Sequence, residues 1–208
     1  SVQNASFTPR LQVQQKITAF VNKYRIYHAG ADSVAGEMYS FAQQKRVKIK
    51  EKITFYSDES KKTPVYTLRA EKVLDVHGRY FVEDMEGKLI GGFRKDFKKS
   101  LALSTWYVFD ADQQDIFIVR ENNYATAILR RFSDFIPLVG DLIGVIMSFI
   151  KYHFEIIDKK TGEEVGVYRK IKLYRDHYSL DMDDGSWSMV DPRVAAALGV
   201  ALDALQSR

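Results

Sequence analysis

The stretch that decides the fold is "DPRVAAALGVALDALQ", residues 191–206. Asp191 is a favourable N-cap residue and Pro192 suits the first helical position, so the stretch predicts an α-helix. Its body is apolar on nearly every side until Asp203. About fourteen residues at roughly 1.5 Å each give a rod of about 21 Å, which the small residues around Gly199 keep thin. A helix of this kind needs burial on every side, inside a sheet closed around it or against a partner.

The composition is that of one folded domain. The chain has 208 residues, 46% of them apolar and 13% aromatic, which is enough for a sizeable core. We therefore expect a single domain over residues 1–208, although the length would also permit two small ones. The 31 basic residues face 27 acidic ones, and the net charge of +4 permits anionic partners without requiring them. Nucleic acid is not expected, because dedicated nucleic-acid binders usually have a larger excess of basic residues.

Cysteine is absent, which excludes disulfides, thiolate catalysis and cysteine-based zinc sites. The opening residues "SVQNASFTPR" contain no apolar signal-peptide core. Both observations lead us to expect a cytoplasmic protein, at most peripheral to a membrane.

Most of the remaining sequence predicts short strands rich in Val, Ile, Tyr, Phe and Thr. The predicted strand segments are 65–76, 79–85, 104–111, 114–122, 152–158 and 163–175. Turn signals such as Glu86-Gly87 and Thr161-Gly162 separate them, which favours an antiparallel barrel or sandwich. The N-terminal "LQVQQKITAFVNKYRIY" fits a helical face as well as alternating strands, and we favour strands.

An internal repeat supports a barrel of similar antiparallel blocks. Residues 79–99 and 151–172 both run from an aromatic strand through an acidic turn to Gly, one residue, an aromatic residue, Arg and Lys. A phosphate-binding loop at Gly91-Gly92 is disfavoured, because no helix pattern follows these glycines. We instead expect a strand whose glycines relieve crowding or set a bulge. Asp184-Gly185 is interpreted as a hairpin turn.

Residues 132–150, "FSDFIPLVGDLIGVIMSFI", form a hydrophobic segment that two Asp, a Pro and Gly interrupt. We expect a helical insertion at about 130–150 rather than a membrane span, since charges at the bilayer centre are costly. It could pack on the barrel, form a dimer seam or dip into a membrane surface. The candidate membrane or partner contacts are Phe132, Phe135, Ile136, Leu138, Leu142 and Ile143.

The basic residues are the best candidates for a functional surface, because the sequence contains no catalytic signature and no metal-binding histidine spacing. Neither an enzyme nor a cofactor is expected. The candidate contacts for anionic lipid are Arg94, Lys95, Lys98, Lys99, Arg169, Lys170 and Lys172. On strands, several of these would share one outer face, although such charges also serve to solubilise exposed strands.

Taken together, these features resemble the tubby-like barrel proteins, namely the LURP-one-related family and, more distantly, the phospholipid scramblases. The matching positions are Gln15-Lys16, Tyr24-Arg25-Ile26, Gly91, Arg94, Lys95 and Trp106-Tyr107-Val108. The resemblance covers roughly residues 11–205. It implies a mainly β fold, a closed antiparallel barrel of about twelve strands around a central hydrophobic C-terminal helix.

The same resemblance implies a non-enzymatic protein that binds anionic phospholipid or a membrane surface. The alternative is a scaffold or signalling module that binds another protein, or a second copy of itself, through residues 132–150. Scramblases also carry an acidic calcium segment ahead of the last helix, and Asp181 and Asp183 match it in part. They are weak metal candidates, because the EF-hand spacing is absent.

Overall fold

The computed structural model describes residues 7–32, 34–45, 52–71, 78–96, 98–99, 104–122, 154–171 and 176–206. In these residues the chain forms twelve strands and two helices. The strands are β1 (Thr8–Ile17), β2 (Val21–Ala29), β3 (Ala35–Lys45), β4 (Lys52–Tyr56), β5 (Pro64–Ala70), β6 (Arg79–Asp84), β7 (Leu89–Lys95), β8 (Thr105–Asp110), β9 (Asp115–Glu121), β10 (Phe154–Asp158), β11 (Glu164–Lys170) and β12 (His177–Met182). The helices are α1 (Asp184–Trp187) and α2 (Pro192–Gln206).

The strands form one closed barrel in which each strand is antiparallel to its neighbours in the sequence. Pairing of β1 with β12, for example Val13 opposite Tyr178, closes the ring. Closure leaves the sheet without exposed edge strands at its two ends. The predicted closed twelve-stranded barrel with a C-terminal helix is therefore confirmed.

Helix α2 lies inside this barrel. Asp191 caps it: its Oδ1 accepts the Arg193 N–H at 2.9 Å, and its carbonyl oxygen accepts the Val194 N–H at 2.9 Å. Every residue from Val194 to Asp203 is buried. Burying a whole apolar helix removes far more apolar surface from water than a one-sided amphipathic helix does, and this burial is a main stabilising contribution to the fold.

Two glycines let the helix and the wall approach each other closely. A Cβ at Gly199 would lie 3.0 Å from Val13 Cγ2 of β1 and 3.4 Å from the ring of Tyr168 of β11. A Cβ at Gly91 of β7 would lie 3.0 Å from Val194 Cγ2 in the first turn of α2. Small residues thus set the helix-to-wall distance on different sides of the barrel.

Large aromatic side chains fill the remaining space between α2 and the wall. Tyr24, Phe55, Tyr66, Phe93, Trp106, Tyr168 and Tyr178 are each at most 1–2% exposed. Neighbouring strands pair these rings, as in the Phe55–Tyr66 stack at 4.4 Å and the Tyr168–Tyr178 stack at 5.4 Å between centroids.

The repeated sequence blocks are the hairpins β6–β7 and β10–β11. Gly91 and Gly92 lie inside strand β7, as expected, and the ring of Phe109 occupies the space that a Cβ on Gly92 would need. The prediction of a hairpin turn at Asp184-Gly185 is wrong. These residues begin α1, because the Asp183 side chain accepts the Ser186 N–H at 2.7 Å and caps a helical turn instead.

The predicted insertion at about 130–150 lies outside the described residues. Within the described ranges, neither helix combines the length and the apolar character that crossing a membrane would require.

The tight contact at Gly199 gives a stability prediction. We expect Gly199→Val to destabilise the protein by about 1–3 kcal/mol, because the added methyls must displace Val13 or Tyr168. Thermal denaturation followed by circular dichroism measures the effect. Gly185→Val is the matched control, since a Cβ there lies at an ordinary 3.5 Å from Asp183 Oδ1. Equal melting temperatures for the two variants would contradict a close helix-to-wall contact.

Candidate functional site

The two ends of the barrel differ in chemistry. At one end, here called the turn end, lie the connections β2–β3, β4–β5, β6–β7, β8–β9, β10–β11 and β12–α1. Each contains an aspartate whose Oδ1 accepts a backbone N–H two to four residues later, at 2.7–3.1 Å. These aspartates are Asp32, Asp58, Asp84, Asp110, Asp158 and Asp183. The same local device that closes each turn therefore makes this end acidic.

The opposite end, here called the exit end, is where α2 terminates. Odd-numbered strands end there and even-numbered strands begin, so Lys16, Lys95 and Lys170 lie at the same end of the barrel although they are far apart in sequence. The basic residues at or next to these strand ends are Lys16, Lys23, Lys52, Arg69, Arg79, Arg94, Lys95, Lys98, Lys99, Arg120, Arg169 and Lys170. The described acidic residues there are Glu71, Asp96, Glu121, Glu155, Asp176 and the buried Asp203. The exit end is thus basic.

A cluster of cations surrounds Tyr107 on the outer wall at β7–β8. Arg94 lies 4.2 Å, Lys159 5.1 Å and Lys99 5.6 Å from the Tyr107 ring centroid. Lys99 Nζ also donates to the Tyr107 hydroxyl at 2.9 Å, and this hydrogen bond raises the pKa of Lys99. The Arg94 guanidinium is paired with Asp115 at 2.9 Å. Of these cations, Lys99 is exposed at the exit end, next to the exposed Lys98.

The basic candidates on β11 already have partners within the fold. Arg169 contacts the buried Asp181 at 2.7 Å, and Asp181 also accepts the Ser179 hydroxyl. Lys170 points into the exit end, is 5% exposed and contacts Asp176 at 3.4 Å. Lys95 is half-buried over the Trp106 ring at 5.6 Å. Lys172 lies outside the described residues, so the accessible predicted candidates are Lys98, Lys99 and, in part, Lys95.

The hairpin between β1 and β2 adds an apolar tip that the sequence analysis did not single out. Phe20 is 82% exposed and Ile17 is 50% exposed, with Lys16 and Lys23 on either side. Thr18 holds the turn, because its hydroxyl donates to the Val21 carbonyl at 2.8 Å and accepts the Val21 N–H at 3.1 Å. Residues 18–20 include no Gly, Pro or Asn, so no turn signal indicates that Phe20 lies at a tip.

A buried polar group closes the inside of the exit end. Asp203 of α2 accepts the Tyr24 hydroxyl at 3.1 Å and is 5% exposed. Burial raises the pKa of Asp203 to about 7, assisted by the charge of Asp176 and opposed by Tyr24 and Lys170. Burial likewise raises the pKa of Tyr24, so its hydroxyl stays protonated.

The weak metal candidates have structural roles in this fold. Asp181 is paired with Arg169, and Asp183 caps α1. No group of three or more potential ligands that could hold a metal ion occurs among the described residues. A calcium site at these positions stays a prediction from the resemblance.

The predicted contacts Phe132, Phe135, Ile136, Leu138, Leu142 and Ile143 lie outside the described residues. The strands that this part of the sequence joins, β9 and β10, end and begin at Glu121 and Phe154. Both positions belong to the exit end.

The buried carboxyl predicts a pH-dependent stability. An aspartate with an ordinary pKa of 3.8 in the unfolded chain and about 7 in the fold holds its proton more tightly when folded. Raising the pH from about 4 to about 7 therefore lowers stability, by at most about 4 kcal/mol. We expect wild type to lose Tm between pH 5 and pH 8 relative to Asp203→Asn, which stays neutral. Parallel Tm curves for the two proteins would show that Asp203 titrates normally.

The comparisons with known proteins agree with this architecture. No curated protein and no solved structure matches the chain. The model of the LURP-one-related family matches residues 38–203, which runs from β3 to the buried end of α2 and includes most of the barrel. With a match over most of its length, the chain belongs to the LURP-one-related family.

Proposed function

We propose that this protein is a non-enzymatic cytoplasmic module that binds anionic phospholipid surfaces through its exit end. The observation that carries the proposal is the coincidence of exposed lysines with an exposed apolar tip. Lys16 and Lys98 are exposed at this end, and Phe20 at the β1–β2 tip is 82% exposed.

The charge distribution supports one orientation of the barrel on an anionic membrane surface. Each basic residue near an anionic surface contributes about 1 kcal/mol, and a single aromatic side chain adds apolar contact at the headgroup boundary. The turn end carries Asp58, Asp84 and Asp110, which an anionic surface repels. The barrel would therefore meet the membrane with the end at which α2 terminates.

The scramblase-like likeness adds only analogy, because one fold serves many functions. A protein-binding scaffold that uses residues 132–150 stays a prediction, since these residues lie outside the described structure. The sequence places them between two strand ends of the same basic end.

Vesicle co-sedimentation tests the charge component. Binding is measured on phosphatidylcholine vesicles with and without phosphatidylserine, at low and raised salt. Replacing Lys16, Lys23 and Lys98 together by Gln should weaken binding to anionic vesicles by about 3 kcal/mol, on the order of 100-fold. The matched control replaces Lys62, Lys88 and Lys160 of the turn end by Gln and should bind like wild type. Equal loss of vesicle binding in both triple variants would contradict the proposal, because it would show that the barrel binds by non-specific charge attraction from either end.

The apolar tip has its own test on the same vesicles. Phe20→Ser should reduce binding several-fold and leave the salt dependence unchanged, because it removes apolar contact without changing charge. Met85→Ser is the control, since Met85 is 47% exposed at the acidic turn end. If Phe20→Ser binds the vesicles as tightly as the wild-type protein does, the β1–β2 tip is not part of the proposed contact.

A further inference from the structure

The barrel is closed, but the ladder between β3 and β4 has two residue pairs, and beyond them these strands form an open seam among the described residues. These strands pair at Phe41–Tyr56 and Ala42–Phe55, and the ladder stops there within the described residues. The next pairs in register would be Gln43–Thr54 and Gln44–Ile53. Each strand continues its ladder on its other side: Gln44 pairs with Asn22 of β2, and Ile53 pairs with Leu68 of β5. Two strand edges therefore face each other without a partner among the described residues.

The open seam forms a cleft of about 210 Å³ beside the β1–β2 tip. Its polar lining consists of Gln43, Gln44, Lys52, Thr54, Tyr56 and Lys61. The cleft follows β4, whose residues Lys52 to Tyr56 span about 13 Å at 3.3 Å per residue. A lining that runs along one strand suits an extended chain.

One buried acceptor at the seam lacks a hydrogen bond among the described residues. Gln44 lines the cleft and is 4% exposed, and its Oε1 has no donor. A buried acceptor without a donor is unfavourable, so Gln44 favours a ligand that brings an N–H group.

The charge of the cleft selects against basic ligands. Lys52 and Lys61 line it, and the lining residues that the structure describes include no carboxylate. Both lysines are exposed, which leaves them available to a carboxylate that lies along β4.

We propose that the β3–β4 seam binds an extended, acidic peptide segment of a partner protein by strand addition. The peptide backbone would supply N–H and C=O groups to the two open strand edges, as in other complexes formed by β-augmentation. Its Asp or Glu side chains would lie near Lys52 and Lys61. This site is separate in chemistry from the lipid contact, because it uses backbone pairing rather than the exposed apolar tip.

Selection from a random linear dodecapeptide library displayed on phage tests the proposal. The wild-type protein and the Lys52→Glu/Lys61→Glu variant are panned in parallel, and enriched peptides are resynthesised with a fluorophore for anisotropy titration. We expect sequences rich in Asp or Glu that bind wild type at least tenfold more tightly than the variant. The matched charge control, Lys62→Glu/Lys88→Glu, should bind within twofold of wild type.

Gln44→Leu separates a binding role from a structural one. Removing an unsatisfied buried acceptor should leave Tm unchanged or raise it, while peptide affinity falls several-fold. Amide hydrogen exchange on wild type should show new protection at 43–44 and 53–54 when the selected peptide is bound. Protection elsewhere would overturn the proposed site.

The other outcomes are equally decisive. No peptide enriched on wild type over the double variant would overturn the proposal. If, in addition, that variant loses binding to anionic vesicles, the cleft belongs to the lipid-binding surface. If the triple variant of Lys16, Lys23 and Lys98 loses vesicle binding but still binds the peptide, the lipid contact and the peptide site are independent.

Discussion

Burial of α2 on every side is the constraint on which the rest of the structure depends. A helix with no polar face needs apolar contact on every side, and in this fold the closed sheet supplies it. The helix and the wall approach each other closely, which Gly199 in the middle of α2 and Gly91 opposite Val194 permit. The aromatic residues of the inner wall fill what remains, as Trp106 and Tyr168 do. The apolar helix and the inner wall thus form one continuous core.

The antiparallel topology also separates charge. Connections that follow even-numbered strands are closed by aspartate side chains, such as Asp84 accepting the Glu86 and Lys88 N–H groups at 3.0 and 2.8 Å. Among the described connections that follow odd-numbered strands, the one after β7 uses this device too, with Asp96 accepting the Lys99 N–H at 3.0 Å, but basic residues outnumber acidic ones at these strand ends. A nearly balanced composition of 31 basic and 27 acidic residues therefore gives a barrel with one acidic and one basic end.

Both proposed contacts lie at places where the barrel exposes an apolar side chain or, among the described residues, leaves backbone and side-chain polar groups unpaired. The β1–β2 tip exposes Phe20, and the β3–β4 seam leaves two strand edges and the Gln44 acceptor unsatisfied. Such exposed and unpaired groups reduce stability, and they are expected at functional sites. Val21 lines the cleft and directly follows Phe20, so the two features are neighbours in the fold. A peptide bound in the seam would lie beside the surface that meets the membrane.

The sequence by itself determined the short strands, the capped helix at Asp191 and the repeated hairpins, because apolar periodicity and local capping are encoded within a few residues. It left a barrel or a sandwich open, and only the family resemblance implied a closed barrel of about twelve strands. The sequence also identified the basic residues, but not which of them are accessible. Lys170 and Lys98 look alike in sequence, yet one is 5% exposed beside Asp176 and the other is exposed. The Phe20 tip, the β3–β4 cleft and the raised pKa of Asp203 were decided only by the tertiary structure. Each depends on contacts between strands and a helix that are far apart along the chain, such as Tyr24 with Asp203.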